Sequence, residues 1–201
     1  MDRKERLRQV MKEEAETISK AADRIDYDVM SQIMDLFCTV KKKGKKVILA
    51  GCGTAGQAAK RIAHTLSVVE VPAFFLSPAD SIHGGMGAMQ EGDILVLLSK
   101  SGNTQEVLNY LPAAGKKGLT VIGVTENEES RLGLAADIVL KIKIDKEPDC
   151  WGIVSSASTL ASISAFDAIA FAVMEETGYT KEEFYLIHTG GGVGDILRKE
   201  L

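Results

Sequence analysis

Five short, almost wholly apolar runs recur between Lys46 and Ile144, each separated from the next by a stretch that reads as helix or turn. They are Lys46–Ala50, Val71–Leu76, Ile94–Ser99, Leu119–Val124 and Ile138–Ile144. The run Ile94-Leu-Val-Leu-Leu98 shows no polar alternation, and a strand without alternation must be covered on both faces. Between the runs, helical spacing predicts helices over about Gln57–Val68, Thr104–Lys117 and Ser130–Ala135. A last long helix is expected from Ser156 or Ser158 to Glu176, with Gly178 beyond its end. Strands alternating with helices imply an α/β fold: a three-layer α/β/α sandwich around a five-stranded parallel sheet with right-handed crossovers. Residues 1–43 carry two helical stripes, separated near Asp26 and Asp28, and form an N-terminal helical arm. No repeat or low-complexity linker divides the rest, so 1–201 is expected to be one domain, with 46–201 its α/β core.

Composition removes several classes of function. A chain of 201 residues, 45% hydrophobic and 26% charged, has the makeup of an ordinary globular domain able to bury a substantial core. Its net charge of −4 argues against a dedicated nucleic-acid binder. The basic run from Lys41 to Lys46 reads as cations complementing a helix C-terminus. The apolar runs fall short of a membrane span, and the charged start Met1-Asp-Arg-Lys-Glu-Arg is no signal peptide. Cys38, Cys52 and Cys150 are odd in number and widely spaced, which fits neither a zinc site nor a disulfide framework and points to a reducing cytoplasm.

The chemistry concentrates where strands give way to helices. After the third strand comes Ser99-Lys-Ser101-Gly102-Asn103-Thr104, a hydroxyl-and-glycine turn leading into a helix. Free N–H groups and the helix dipole at such a junction favour an anion, and no Walker lysine follows the glycine, so a small phosphorylated metabolite is the natural ligand. Each hydroxyl also has a bland alternative as a helix cap. Ser155-Ser156-Ala-Ser158-Thr159 is a second hydroxyl cluster at a helix start, open to the same two readings. Gly51-Cys-Gly53-Thr54-Ala-Gly56 matches the dinucleotide fingerprint, but the second strand ends in Leu76-Ser77-Pro78 without a ribose-binding acid. A tight turn without ligand remains open for that loop. His83 and His188 sit in glycine-flanked segments and suit proton transfer, whereas His64 lies within a helix and reads as structural. Glu106, in a first helical turn, and Glu147, after the fifth strand, are candidate carboxylate bases; their bland roles are dipole complement and solvated loop acid.

In this order the pieces resemble the sugar isomerase (SIS) domain, and in particular its arabinose-5-phosphate isomerase branch, the KpsF/GutQ type. Ser99-x-Ser101-Gly102-x-Thr104 matches the family's sugar-phosphate loop. Phe75-Leu-Ser-Pro78-Ala79-Asp80-Ser-Ile-His83-Gly84 resembles the branch's phenylalanine–x–histidine–proline–alanine–glutamate–x–x–histidine–glycine segment. His188-Thr-Gly190-Gly191-Gly-Val-Gly194 resembles its histidine–proline–glycine–glycine–x–leucine–glycine signature. Thr54-Ala55 stands where the branch has lysine–serine, Ser77 replaces a histidine and Thr189 a proline. The resemblance implies a flavodoxin-like SIS fold and an aldose–ketose isomerisation of ribulose 5-phosphate and arabinose 5-phosphate through an enediol, without metal or redox cofactor. A hexulose 6-phosphate substrate, or a non-catalytic phosphosugar regulator, is the alternative. It further implies His188, His83, Glu106 and Glu147 as catalytic groups. Gly53, Thr54, Ser99, Ser101, Gly102, Asn103, Thr104, Ser156 and Ser158 would bind substrate. A cytoplasmic dimer or tetramer sharing a histidine between subunits is expected, with no nucleic-acid or membrane partner. The CBS modules that follow the domain in many members are expected to be lacking.

Overall fold

The computed structural model describes residues 2–201. Two helices, α1 (Arg3–Arg24) and α2 (Tyr27–Val40), precede strand β1 (Val47–Gly51) and helix α3 (Gly53–Val68). Then follow β2 (Ala73–Phe75), α4 (Pro78–Ser81), a 3₁₀ turn at Gly85–Ala88, β3 (Ile94–Leu98), α5 (Gln105–Leu108) and α6 (Leu111–Lys117). The chain continues through β4 (Thr120–Thr125), α7 (Arg131–Ala135), β5 (Ile138–Lys141), α8 (Ala157–Thr177), α9 (Lys181–Ile187) and α10 (Gly191–Glu200).

All five strands are parallel, in the order β2-β1-β3-β4-β5. The order reverses between β1 and β3, which places a crevice at the carboxyl ends of those two strands. Both faces of the sheet are dry. Val47, Leu49, Ile94, Val96 and Leu98 face a layer built from α1, α2, α3 and α8. Ile48, Ala50, Leu95, Leu97 and Val121 face Met89, Val107, Tyr110 and Leu132 on the other side. Unbroken apolar strands are the consequence of this two-sided cover.

Several boundaries moved from their expected positions. The segment predicted as one helix over Thr104–Lys117 is two, because Pro112 sits in the first turn of α6, where its missing N–H is tolerated; inside a continuous helix it would break the ladder. Strand β2 is trimmed to three residues between Pro72 and Pro78. Strand β5 stops at Lys141, although Ile142 and Ile144 remain buried. Helices α9 and α10 were not anticipated, although Thr180 and Glu183 form a capping box that marks the start of α9.

The N-terminal arm divides in two. The side chain of Asp26 accepts from Asp28 N at 2.9 Å and Val29 N at 3.1 Å, so α1 ends and α2 begins there. No residue of α1 is buried and it lies along α8. Helix α2 buries Met30, Ile33, Phe37 and Val40 and is part of the core. Helix α8 is apolar around most of its circumference and is long and apolar enough, by length and composition, to cross a membrane; here it packs on α3, α1 and α2.

Phe37, 1% exposed, meets Phe166 of α8 with ring centroids 6.5 Å apart. Phe37→Ala should therefore lower unfolding stability by about 3–5 kcal/mol. An unchanged urea midpoint would show that α2 is a detachable arm.

Candidate active site

The β3–α5 turn is fixed from several directions before any ligand arrives. Gly102 N–H donates to Ser99 O at 2.9 Å, and Leu132 N–H of α7 donates to Gly102 O at 2.9 Å. The hydroxyl of Thr125, at the end of β4, donates to Lys100 O at 3.0 Å, and Glu126 N–H donates to the same carbonyl at 3.0 Å. Asn103 braces the turn internally: its N–H donates to Ser101 Oγ at 3.2 Å, its side-chain amide donates to Ser101 O at 3.1 Å, and its Oδ1 accepts from Arg131 N at 3.2 Å. Gly102 has φ +69°, and a Cβ there would fall 1.9 Å from Ser130 Oγ. Only glycine fits, for reasons of both conformation and space.

The hydroxyls are not spent on capping. Thr104 occupies the N-cap of α5 but makes no side-chain cap bond; its Oγ1 pairs with the buried Ser99 Oγ at 2.9 Å instead. Among the described residues, the N–H groups of Gln105 and Glu106, in the first turn of α5, find no protein acceptor. Facing this turn, α3 begins with Gly53 (φ +54°) and Thr54. Thr54, Ser99, Ser101, Thr104 and Ser155 line a cavity of about 300 Å³ together with Cys52, Lys100 and Glu126. A narrower cavity of about 50 Å³ adjoins it, lined by Ser99, Lys100, Ser155, Ser158 and Thr159.

Glu147 corrects the expectation of a solvated loop acid. Its side chain is 0% exposed and accepts from Lys100 Nζ at 2.8 Å, from the Ser158 hydroxyl, and from the N–H groups of Ser156 at 3.1 Å and Ser158 at 3.3 Å. Burial alone would push its carboxyl up. The Lys100 ammonium, the Ser158 hydroxyl and the two N–H groups outweigh that and hold it below the usual carboxylate range. It caps the N-terminus of α8 as an internal anion; Ser156 and Ser158 both donate to it, and Ser158 also lines the narrower cavity. Ser155 lines the larger cavity in their stead.

The remaining candidates are dispersed. Glu106 is exposed in the first turn of α5; burial first and then its charge push the nearby Cys52 thiol up, so Cys52 stays protonated. His83 is exposed after α4, a helix that packs beside α5. Tyr110, between α5 and α6, donates to Leu76 O at 2.7 Å, and burial pushes its phenol up to about 12, which keeps it a neutral strut beneath that flank. His188 is not brought to the cavity of its own chain. It ends α9, beyond the far end of α8 from the cavity, and α8's 21 residues span roughly 30 Å. Its ring lies 5.2 Å from Phe184, and its Nδ1 is buried without a partner among the described residues. Lys100 escaped the sequence reading because nothing local distinguishes it from any other turn lysine. Its partner, Glu147, is 47 residues away, and no local pattern links them.

Two outcomes follow from this geometry. Gly102→Ala should cost about 2–4 kcal/mol in urea unfolding, since the turn must shift to clear Ser130. Because the folded-state pKa of Glu147 is depressed, its stabilisation is complete above the ordinary carboxylate pKa and is lost as pH falls through the folded value. Glu147→Gln should lower stability at pH 7 by about 1–3 kcal/mol and flatten the dependence on pH below about 4.5. Parallel curves for the two proteins from pH 7 to 3 would contradict it.

Comparison with known proteins identifies the family. Residues 41–172 match the SIS domain family model. Arabinose 5-phosphate isomerase KdsD of Pseudomonas aeruginosa is 35% identical over 182 residues, covering 89% of this chain and 56% of that protein. GutQ of Escherichia coli K12, also an arabinose 5-phosphate isomerase, is 34% identical over 149 residues, covering 74% of this chain and 46% of GutQ. The chain thus spans about half the length of the curated relatives it matches. Among solved structures, a Listeria monocytogenes protein assigned as a sugar-phosphate isomerase superposes with TM-score 0.90 at 40% identity, covering 94% of this chain and 100% of that one. An Escherichia coli CFT073 protein in complex with arabinose 5-phosphate superposes with TM-score 0.81 at 28% identity, covering 94% and 100%. A hydroxyl-lined crevice at the switch point of a five-stranded parallel sheet, and a family match over residues 41–172, lead to one conclusion: this chain belongs to the SIS domain family.

Proposed function

We propose that the chain is a phosphosugar aldose–ketose isomerase that interconverts D-ribulose 5-phosphate and D-arabinose 5-phosphate through an enediol. The observation that carries this reading is the pre-formed Ser99–Thr104 turn, whose hydroxyls and free N–H groups border a cavity of metabolite size. Its support from outside is the likeness to arabinose 5-phosphate isomerases and to a structure containing arabinose 5-phosphate.

On this reading Ser101, Thr104 and the N–H groups at the start of α5 hold the phosphate, with Gly53 and Thr54 across the cavity. The reaction needs a base that takes a proton from the carbon beside the carbonyl and returns it to its neighbour. Glu147 is engaged by four donors; of the two other carboxylates near the turn, Glu126 on the cavity wall and Glu106 in the first turn of α5, we assign the base to Glu106. His83 assists from the flank by polarising sugar oxygens. His188 reaches a reacting sugar only from a second copy. A homo-oligomer is supported by the surface that one chain leaves uncovered: Leu160 and Phe171 on α8, and Leu186, Ile187, Val193 and Ile196 on the α9–α10 hairpin. Covering apolar area of this kind is what drives association. The setting is the cytoplasm, and residues 1–201 act as one SIS unit.

Purified protein should exchange substrate hydrogen with deuterated water in the presence of ribulose 5-phosphate and should form arabinose 5-phosphate. Binding without exchange across a panel of pentose and hexose phosphates would rule out the enzyme. Glu106→Gln and His188→Ala should each lose turnover while retaining substrate binding. If the histidine acts between subunits, mixing the two inactive variants should restore about a quarter of wild-type activity, the statistical value for one intact site in half of the dimers. No recovery after subunit exchange would place both groups in one chain's site or in none.

A further inference from the structure

We infer that Lys100 is the cationic contact for the substrate's phosphate, and that buried Glu147 is the residue that positions it. The inference rests on the phosphosugar reading above. It starts from a charge imbalance in the cavity. Thr54, Ser99, Ser101, Thr104 and Ser155 contribute neutral hydroxyls, and Glu126 contributes negative charge. Among the residues lining the cavity, Lys100 alone carries positive charge. A phosphate dianion placed there without it would face an acid and no counter-charge.

Lys100 is placed for the task by three features. It belongs to the phosphate turn itself, between Ser99 and Ser101, and its carbonyl is pinned by Thr125 and Glu126. It lines both the larger cavity and the narrower one beside it. Its ammonium is tied to Glu147 Oε1 at 2.8 Å yet remains 37% exposed on the side chain, so a ligand can reach it.

Glu147 explains why this lysine does not swing freely into solvent. An ammonium has three donors; one is engaged by Glu147 and two remain for a ligand. The charge of Glu147 is not directed at the cavity: the N–H groups of Ser156 and Ser158 and the N-terminal dipole of α8 already answer it. The carboxylate therefore orients the ammonium without neutralising it toward the ligand. Thr54, on the opposite wall of the same cavity, marks a second place from which a cation could meet the same phosphate.

The test measures ribulose 5-phosphate binding by calorimetry, steady-state turnover, and competitive inhibition by inorganic phosphate. Lys100→Met should weaken calorimetric affinity and raise KM by about 10- to 100-fold, the worth of one charge-assisted hydrogen bond, with kcat within about threefold of wild type. Inhibition by inorganic phosphate should weaken in the same proportion, and Lys100→Arg should retain most of the affinity. Thr54→Lys added to Lys100→Met should recover part of the loss. Because Lys100→Met leaves Glu147 buried and unpaired, the double variant Lys100→Met with Glu147→Gln, which removes both charges, is measured alongside and should show the same loss of affinity. Glu147→Gln alone should raise KM without abolishing turnover, since it frees the lysine but leaves it present. Unchanged affinity and KM in the folded double variant would overturn the proposal. So would a fall in kcat with binding intact, which would place Lys100 at the reacting carbons. If wild-type protein itself neither binds ribulose 5-phosphate nor catalyses exchange, the phosphosugar reading fails rather than the assignment of Lys100 within it.

Discussion

Everything in this molecule follows from a sheet with no wet face. Strands β1, β3 and β4 are buried on both sides, so helices must return over each face and every crossover must run parallel. Strand ends, helix starts and solvent meet at the carboxyl edge. At the reversal between β1 and β3 that edge opens into a crevice. The Ser99–Thr104 turn is the way the chain leaves a fully buried strand, and its hydrogen bonds to the ends of β4 and α7 fix it before a ligand binds. Pre-organisation of this kind lowers the ordering cost of holding an anion.

A second constraint is electrostatic. The start of α8 presents unsatisfied N–H groups next to the cavity, and Glu147 takes that seat. A buried carboxylate is tolerated only when it is paired and fully bonded, and Lys100 completes the set. The pair joins the Ser99–Thr104 turn to the start of α8. The hydroxyl-and-glycine turn and the core architecture are therefore coupled at one ion pair. The same engagement uses both oxygens of Glu147, whereas Glu106 is held by no protein donor among the described residues.

The third feature is what remains uncovered. Helix α8 is apolar well beyond the face that α3, α1 and α2 cover, and the α9–α10 hairpin exposes a row of aliphatic side chains while packing chiefly on itself. His188 lies within that hairpin, its Nδ1 buried against its own aromatic neighbours. One chain thus carries a crevice and, beyond the C-terminal end of α8, a histidine that does not line it.

The amino-acid sequence by itself determined the layers, the parallel strands and the place of the hydroxyl-and-glycine turn, because unbroken apolar runs and a glycine with hydroxyl neighbours are local signals that the fold leaves no freedom to reinterpret. It placed the break at Asp26 and the start of α8 within a residue or two for the same reason. It did not show the break in the α5–α6 segment clearly, since Pro112 is tolerated in a first turn, and it passed over the capping box that starts α9. What only the tertiary structure decided was which side chains share a space. Lys100 and Glu147 meet across 47 residues, Thr104 bonds Ser99 instead of capping its helix, Ser155 replaces Ser156 at the cavity, and His188 is carried away by the length of α8. Periodicity encodes which face of an element is buried, but it carries no information about which distant residue will lie across the gap; that depends on crossover handedness, helix length and strand order acting together.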